Sequence, residues 1–469
     1  MHKYFNTQKS NKIKTMNNHI AIFAFPFGSH GTPLLNTTRQ LASLAPQNKV
    51  HFSFISTPNT ITSLFPSGSK TDADYPNIKA YEIWDGKPEG YVFSGNHLDE
   101  IDLFLKHAAR PGALTKVLEE AEDNIGVKVS CVMGDAFLWF LCDLAKEVGV
   151  PWVSCWVSGE HSLSVHVYTD VLRERFGIQG VEAREDETLD FIPGLSKIRV
   201  KDIPDGIATG NLDSTFAQML HKMSQALPNA SAVCISSCEE LDPVVTNDLK
   251  SKFSKTFSIG PLNLVIAPQK IADNYNCLGW LDKQKPNSVV YVSFGSAATP
   301  TPNELFALAQ ALQASGVKFL WSIKDHLKVH FPNDFLEKSR ENGMVVSWVP
   351  QIEVLAHDAI GVFITHFGYN SVTESIAAEV PMIGRPFFGD HKLNGRLVEA
   401  VWEVGLQVEG ETFTKEGILK SLDRILSSDE GKKMRANIKS LKHLVGKAVA
   451  PDGSSNKNFR LLLEHITKT

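Results

Sequence analysis

Side chains able to do chemistry crowd the stretch from Trp348 to His391. It holds Trp348, Val349, Pro350 and Gln351, then His357, then His366-Phe367-Gly368-Tyr369-Asn370-Ser371, Glu374, Pro381, and Pro386 through Asp390 and His391. The turn at His366 follows a β-rich run and opens a helix-like one, so unpaired backbone N–H groups there favour an anion. Neither Lys nor Arg occurs between His366 and Glu374. A phosphate would be held by amides, the helix dipole, His366, Asn370 and Ser371. The plainer alternatives are a capping box for Ser371 and Glu374 and a core position for Trp348. Far upstream, His30 stands at the end of the first strand-like run, and Asp135 ends a later one. A lone histidine at such a turn also reads as a helix cap or a surface residue.

These residues need elements to position them. His19 to Pro26 is short, β-rich and ends at proline, which predicts a buried strand. Leu34, Leu35, Leu41 and Leu44 follow at helical spacing. Strands are predicted at 50–55, 127–132 (Asp135 just beyond it) and 152–156, with a helix over 137–148. After a segment of low periodicity the pattern restarts, with strands at 288–293, 318–323, 344–348, 362–365 and 382–383 and a helix over 302–315. Alternating strands and helices predict two α/β units with parallel sheets covered on both faces. In such sheets ligands bind beyond the carboxyl ends of strands.

Composition narrows the function. The chain has 469 residues, 43% hydrophobic and 21% charged, too long for one ordinary core and too apolar for disorder. Lys plus Arg is 47 against 52 Asp plus Glu, a net charge of -5 that argues against nucleic acid. Six cysteines without a CxxC argue against a disulfide scaffold and point to a reducing, cytoplasmic compartment. No apolar run reaches the ~18–20 residues of a membrane span. Residues 1–18, with Lys3, Lys9, Lys12 and Lys14 and no acid, read as a disordered extension with Met16 an alternative start. No GxGxxG follows the first strand and no GxSxG elbow appears, which disfavours a dehydrogenase and an α/β-hydrolase. Asp72-Ala73-Asp74 reads as a solvated acidic loop rather than a metal motif.

The stretch from Trp348 to His391 resembles the signature box of plant secondary-product glycosyltransferases, which use UDP-sugars. The resemblance extends through Phe25-Pro26-Phe27-Gly28-Ser29-His30 and Asp135-Ala136-Phe137. Pro88 to Phe93 and Ser164 to Tyr168 align it with the flavonoid and anthocyanidin 3-O-glycosyltransferases. It implies a GT-B fold. The N-terminal acceptor domain would span 19–260, a linker 261–276, the UDP-sugar domain 277–450, and a helix over 451–469 would cross back. Trp348 would stack on uracil, with Val349 and Gln351 beside the nucleoside. Glu374 would take the ribose hydroxyls. Ser296, His366, Gly368, Tyr369, Asn370 and Ser371 would line the diphosphate and sugar, and Asp390 and His391 would contact the sugar. His30 would be the base, oriented by Asp135. Phe27, Ser29, Phe137, His166 and Phe388 would complete the acceptor site. No metal and no cofactor are implied, and the relatives suggest a monomer.

Three positions depart from the box. Phe367 stands for the common Cys, Tyr369 for Trp, and His391 for the Gln of most glucose-using members. Members with His there tend to use UDP-galactose. Val157 lacks the hydroxyl that some glucose-using relatives place on the sugar. The expectation is transfer of galactose to the 3-hydroxyl of an anthocyanidin or flavonol. UDP-glucose as donor, another small phenol as acceptor, or a non-catalytic nucleotide-sugar binder are the alternatives.

Overall fold

The computed structural model describes residues 17–46, 49–65, 68–177, 181–266 and 272–468. Most of the extension read over 1–18 and the middle of the linker lie outside these, and Asn18 already opens a strand. Seven parallel strands form the first sheet: β1 (Asn18–Phe23), β2 (Val50–Ser56), β3 (Ile78–Glu82), β4 (Cys131–Asp135), β5 (Trp152–Trp156), β6 (Ala232–Ile235) and β7 (Thr256–Ser258), in the order β3-β2-β1-β4-β5-β6-β7. Six parallel strands form the second: β8 (Val289–Val292), β9 (Lys318–Ser322), β10 (Gly343–Val346), β11 (Ile360–Thr365), β12 (Met382–Gly384) and β13 (Gly405–Gln407), in the order β10-β9-β8-β11-β12-β13. Both sheets are doubly wound, with the strand order reversing beside the first strand of each.

The apolar runs explain this layering. In β1, Ile20 and Ile22 enter one core with Phe52 and Phe54, while Ala21 and Phe23 enter another with Val132 and Tyr81. A strand buried on both faces is what a parallel sheet with helices on each side requires. After the second sheet a helix returns to the first. The helix Ser454–Thr467 sets Phe459, Leu462 and Ile466 into the core that holds Ile20 and Phe52. Ser455 Oγ donates to Gly260 O at 2.5 Å, and Asn458 Nδ2 to Ser258 O at 2.9 Å. Among the described residues no helix is long and apolar enough to cross a membrane.

Three local expectations are corrected. The strand expected at 127–132 begins only at Cys131 and includes Asp135. The Val129 N–H is taken by Glu122 Oε1 at 2.9 Å, which keeps it out of the sheet ladder. The helix expected from Phe137 begins at Leu141, because Asp135 Oδ1 captures the Phe137 N–H in a tight turn. Asp72 is not solvated: it is buried, paired with Arg39 at 2.8 Å, and accepts the Asp74 N–H at 3.1 Å. Phe459→Ala, emptying a fully buried ring site in the first core, is expected to destabilise that half by about 3–5 kcal/mol, read as a lowered urea midpoint.

Candidate active site

In the first sheet the order reverses between β1 and β4, and the residues ending those strands face each other across the gap. His30 follows β1, and its Nδ1 lies 2.7 Å from Asp135 Oδ2 at the end of β4. The Asp135 side chain is 1% exposed and His30's is 22% exposed, so a buried carboxylate holds an imidazole whose other edge is open. The helix Gly31–Leu44 starts at His30 with no side-chain cap, so the ring is not spent on capping. Phe25 and Phe137 flank it at 5.2 and 4.8 Å between centroids, and Phe27 packs on Phe25 at 5.3 Å. Ser29 is exposed beside it. Burial alone would lower the His30 pKa. The charge and hydrogen bond of Asp135, with the more distant Asp390 carboxylate, outweigh it and hold the pKa above the ordinary value.

In the second sheet the order reverses between β8 and β11. The turn after β8 exposes Ser296, whose carbonyl accepts from Lys324 Nζ at 3.0 Å. After β11 comes His366, followed by the helix Tyr369–Ala378, whose N-cap Gly368 supplies no side-chain cap. Its first-turn N–H groups, those of Asn370 and Ser371 among them, are free for an anion. A Cβ on Gly368 would fall 2.4 Å from His366 Nε2, so the imidazole needs glycine there. Burial, and next His391, push the His366 pKa down to about 3. The ring is neutral at pH 7, and any help it gives an anion is an N–H, not a charge.

Ser371 and Glu374 do not form a capping box. Gln351 Nε2 donates to both, at 3.1 Å to Ser371 Oγ and 2.7 Å to Glu374 Oε2, while Gln351 Oε1 accepts from Tyr291 O–H at 2.9 Å. Burial pushes Glu374 up to about 7, with the Gln351 bond opposing. Trp348, the end of β10 two residues behind it, is 57% exposed, whereas Val349 is buried. A half-exposed indole beside a polar cluster is a platform for a flat ring.

The two halves touch at the turn after β5. Ser158 Oγ donates to Asp390 Oδ2, and the Tyr369 ring packs on Gly159. His391, buried at the start of the helix His391–Arg396, sets its ring edge-on to His366 at 4.8 Å and against Phe388 at 4.6 Å. Burial lowers its pKa to about 4. Its Nδ1 accepts a long bond from the Phe388 N–H at 3.4 Å, so the neutral ring carries its proton on Nε2. Phe388 is half exposed. His166 is buried one layer below, edge-on at 5.1 Å to Trp156, which packs on Phe137 at 5.9 Å; its Nδ1 is unpartnered among the described residues and burial lowers its pKa to about 3.

Sequence reasoning missed Ser158 and Tyr291. Tyr291 sits in a β-rich run that signals only a strand. Ser158, a hydroxyl next to Val157, was legible as a polar residue at a strand end. Removing the Asp135 charge should let burial dominate His30. NMR titration of the imidazole is expected to find it above 6.5 in the parent and below 6.5 in Asp135→Asn.

Comparison with known proteins assigns the family and the fold. The family profile described as "UDP-glucoronosyl and UDP-glucosyl transferase" matches residues 96–446. The anthocyanidin 3-O-glucosyltransferase UFGT of Vitis vinifera is 49% identical over 97% of this chain and 98% of its own. An anthocyanidin 3-O-galactosyltransferase of Actinidia chinensis var. chinensis is 50% identical over 96% and 97%. The crystal structure of a UDP-glucose: anthocyanidin 3-O-glucosyltransferase in complex with UDP superposes with a TM-score of 0.90 at 40% identity, covering 97% of this chain and 100% of that one. The two facing sheets are thus a GT-B fold, and the chain belongs to the UDP-glucoronosyl and UDP-glucosyl transferase family.

Proposed function

We propose that the protein transfers galactose from UDP-galactose to the 3-hydroxyl of an anthocyanidin or flavonol, inverting the anomeric carbon. The observation that carries the reading is the His30–Asp135 pair in one half, close enough to Asp390 of the other half for that carboxylate to raise the imidazole pKa. On this reading the base of one lobe works within the field of a sugar-binding carboxylate of the other. Nucleotide would bind the second sheet, with uracil on Trp348, ribose hydroxyls on Glu374, and diphosphate at Ser296, His366 and the amides of Asn370 and Ser371. Asp390 and His391 would hold the sugar. Phe27, Ser29, Phe137 and Phe388 would take the flat acceptor, with His166 supporting Trp156 from behind.

In this mechanism His30 Nε2 takes the proton from the acceptor hydroxyl as its oxygen attacks the anomeric carbon. Asp135 fixes the Nδ1–H tautomer and stabilises the imidazolium that forms. UDP leaves from the opposite face, its growing charge met by the helix N-terminus at Asn370 and Ser371. The raised His30 pKa means turnover should climb as pH rises through that value, since only the neutral ring can accept a proton.

The choice of galactose rests on His391. Glutamine offers both a carbonyl and an amide to the sugar, whereas His391 offers one N–H, from Nε2. Overall identity does not discriminate, because the glucosyl- and galactosyltransferase relatives are almost equally similar. One mismatched hydrogen bond at a buried site costs ~1–3 kcal/mol, enough to bias donors about ten- to a hundredfold.

Competition of equimolar UDP-galactose and UDP-glucose with a flavonol is expected to give mainly the galactoside. A glucoside would reject the donor, and no UDP release would reject the enzymic reading. His30→Ala is expected to lower kcat by on the order of a hundred- to ten-thousandfold with UDP affinity unchanged in calorimetry. Trp348→Ala should weaken UDP itself by about tenfold or more.

A further inference from the structure

Ser158 belongs to none of the motifs, yet its hydroxyl crosses the cleft to Asp390 Oδ2. The turn that carries it is clamped on both sides. Trp156 Nε1 donates to Gly159 O at 3.0 Å from within the first half. From the second half the Tyr369 ring lies so close that a Cβ on Gly159 would fall 2.6 Å from its Cε2. The backbone therefore presents the Ser158 hydroxyl at a fixed point. The preceding residue, Val157, has no hydroxyl to offer. On the other side, Asp390 ends the loop before the helix His391–Arg396, and among the described residues Ser158 is the only hydrogen-bond partner of its carboxylate.

A carboxylate with no partner can rotate and present either oxygen. One that accepts a charge-assisted O–H bond on Oδ2 is held with Oδ1 free. We propose that Ser158 is a positioning residue for the donor sugar: it pins Oδ2 of Asp390 so that Oδ1 alone is offered to a sugar hydroxyl. The inference rests on the reading of Asp390 as a sugar contact. It explains how the carboxylate of the residue that opens the helix His391–Arg396 keeps one orientation. Its effect is confined to the hexose, because the nucleotide is held by Trp348, Glu374 and the helix Tyr369–Ala378. A mere latch between the two halves would instead alter the binding of UDP and UDP-hexose alike.

The test uses the full-length protein, with UDP affinity by calorimetry and KM for UDP-galactose with a flavonol acceptor. Ser158→Ala is expected to raise that KM about tenfold and leave the UDP Kd within about twofold. Ser158→Cys, nearly isosteric with a weak donor, keeps the turn filled and is expected to follow Ser158→Ala, while Ser158→Thr returns the KM toward the parent. In an Asp390→Ala background, Ser158→Ala is expected to add nothing. The proposal is overturned by an unchanged KM in Ser158→Ala and Ser158→Cys. It is also overturned by equal weakening of UDP and UDP-galactose, or by full additivity with Asp390→Ala. Failure of the underlying reading looks different: Asp390→Ala would then leave the KM of the parent unaltered, and the proposal would fall with it.

Discussion

The bond between His30 Nδ1 and Asp135 Oδ2 is the constraint on which the remaining arrangement hangs. It exists because the first sheet reverses its strand order between β1 and β4, which leaves two adjacent strand ends without a crossover connection above them. Asp135 is the last residue of its strand and is buried on all sides, its second oxygen used by the Phe137 N–H. Such a carboxylate cannot reorient, so neither can the imidazole it holds. The ring is thereby prevented from capping its own helix, and its Nε2 edge is turned to the cleft. Phe25 and Phe137 exclude water from its faces, which strengthens the pairing while leaving the edge open.

The same topology recurs in the second sheet with opposite electrostatics. Where the first site concentrates a raised imidazole pKa, the second lowers two. His366 and His391 lie edge to face, buried and neutral, and each is denied a proton by burial first. A helix start with no side-chain cap beside two neutral imidazoles offers N–H donors rather than positive charge, with no cation in the His366 to Glu374 stretch. That choice suits an activated leaving group. Donors fixed in place gain strength as negative charge develops on the leaving oxygen. Gln351 completes the arrangement by tying Tyr291, Ser371 and Glu374 into one chain of hydrogen bonds behind Trp348.

Legibility from sequence followed the range of the interaction. Periodicity located nine of the thirteen strands among the described residues, eight of them within two or three residues, because burial on both faces leaves unbroken apolar runs such as His19 to Phe25; the short strands β3, β6, β7 and β13 were not singled out. It failed where a side chain competes for a backbone N–H: Glu122 delays β4, and Asp135 delays the helix at Leu141. His30 and Asp135 could be singled out by their places at strand ends, but their pairing depends on which strands become neighbours, and strand order is not written in local pattern. Ser371 and Glu374 had the spacing of a capping box and were diverted by Gln351, a residue 20 positions away from Ser371 that no local rule connects to it. Ser158 is the extreme case. Its partner is 232 residues distant, and only the closure of one half on the other brings them together.

The central claim is that an imidazole anchored in one half meets a sugar held by the other. A crystal structure with UDP and an acceptor flavonoid bound together tests it most directly. The account predicts uracil over Trp348 and the reacting hydroxyl about 2.6–3.2 Å from His30 Nε2. An acceptor hydroxyl directed away from His30, with the nucleotide still on the indole, would contradict it.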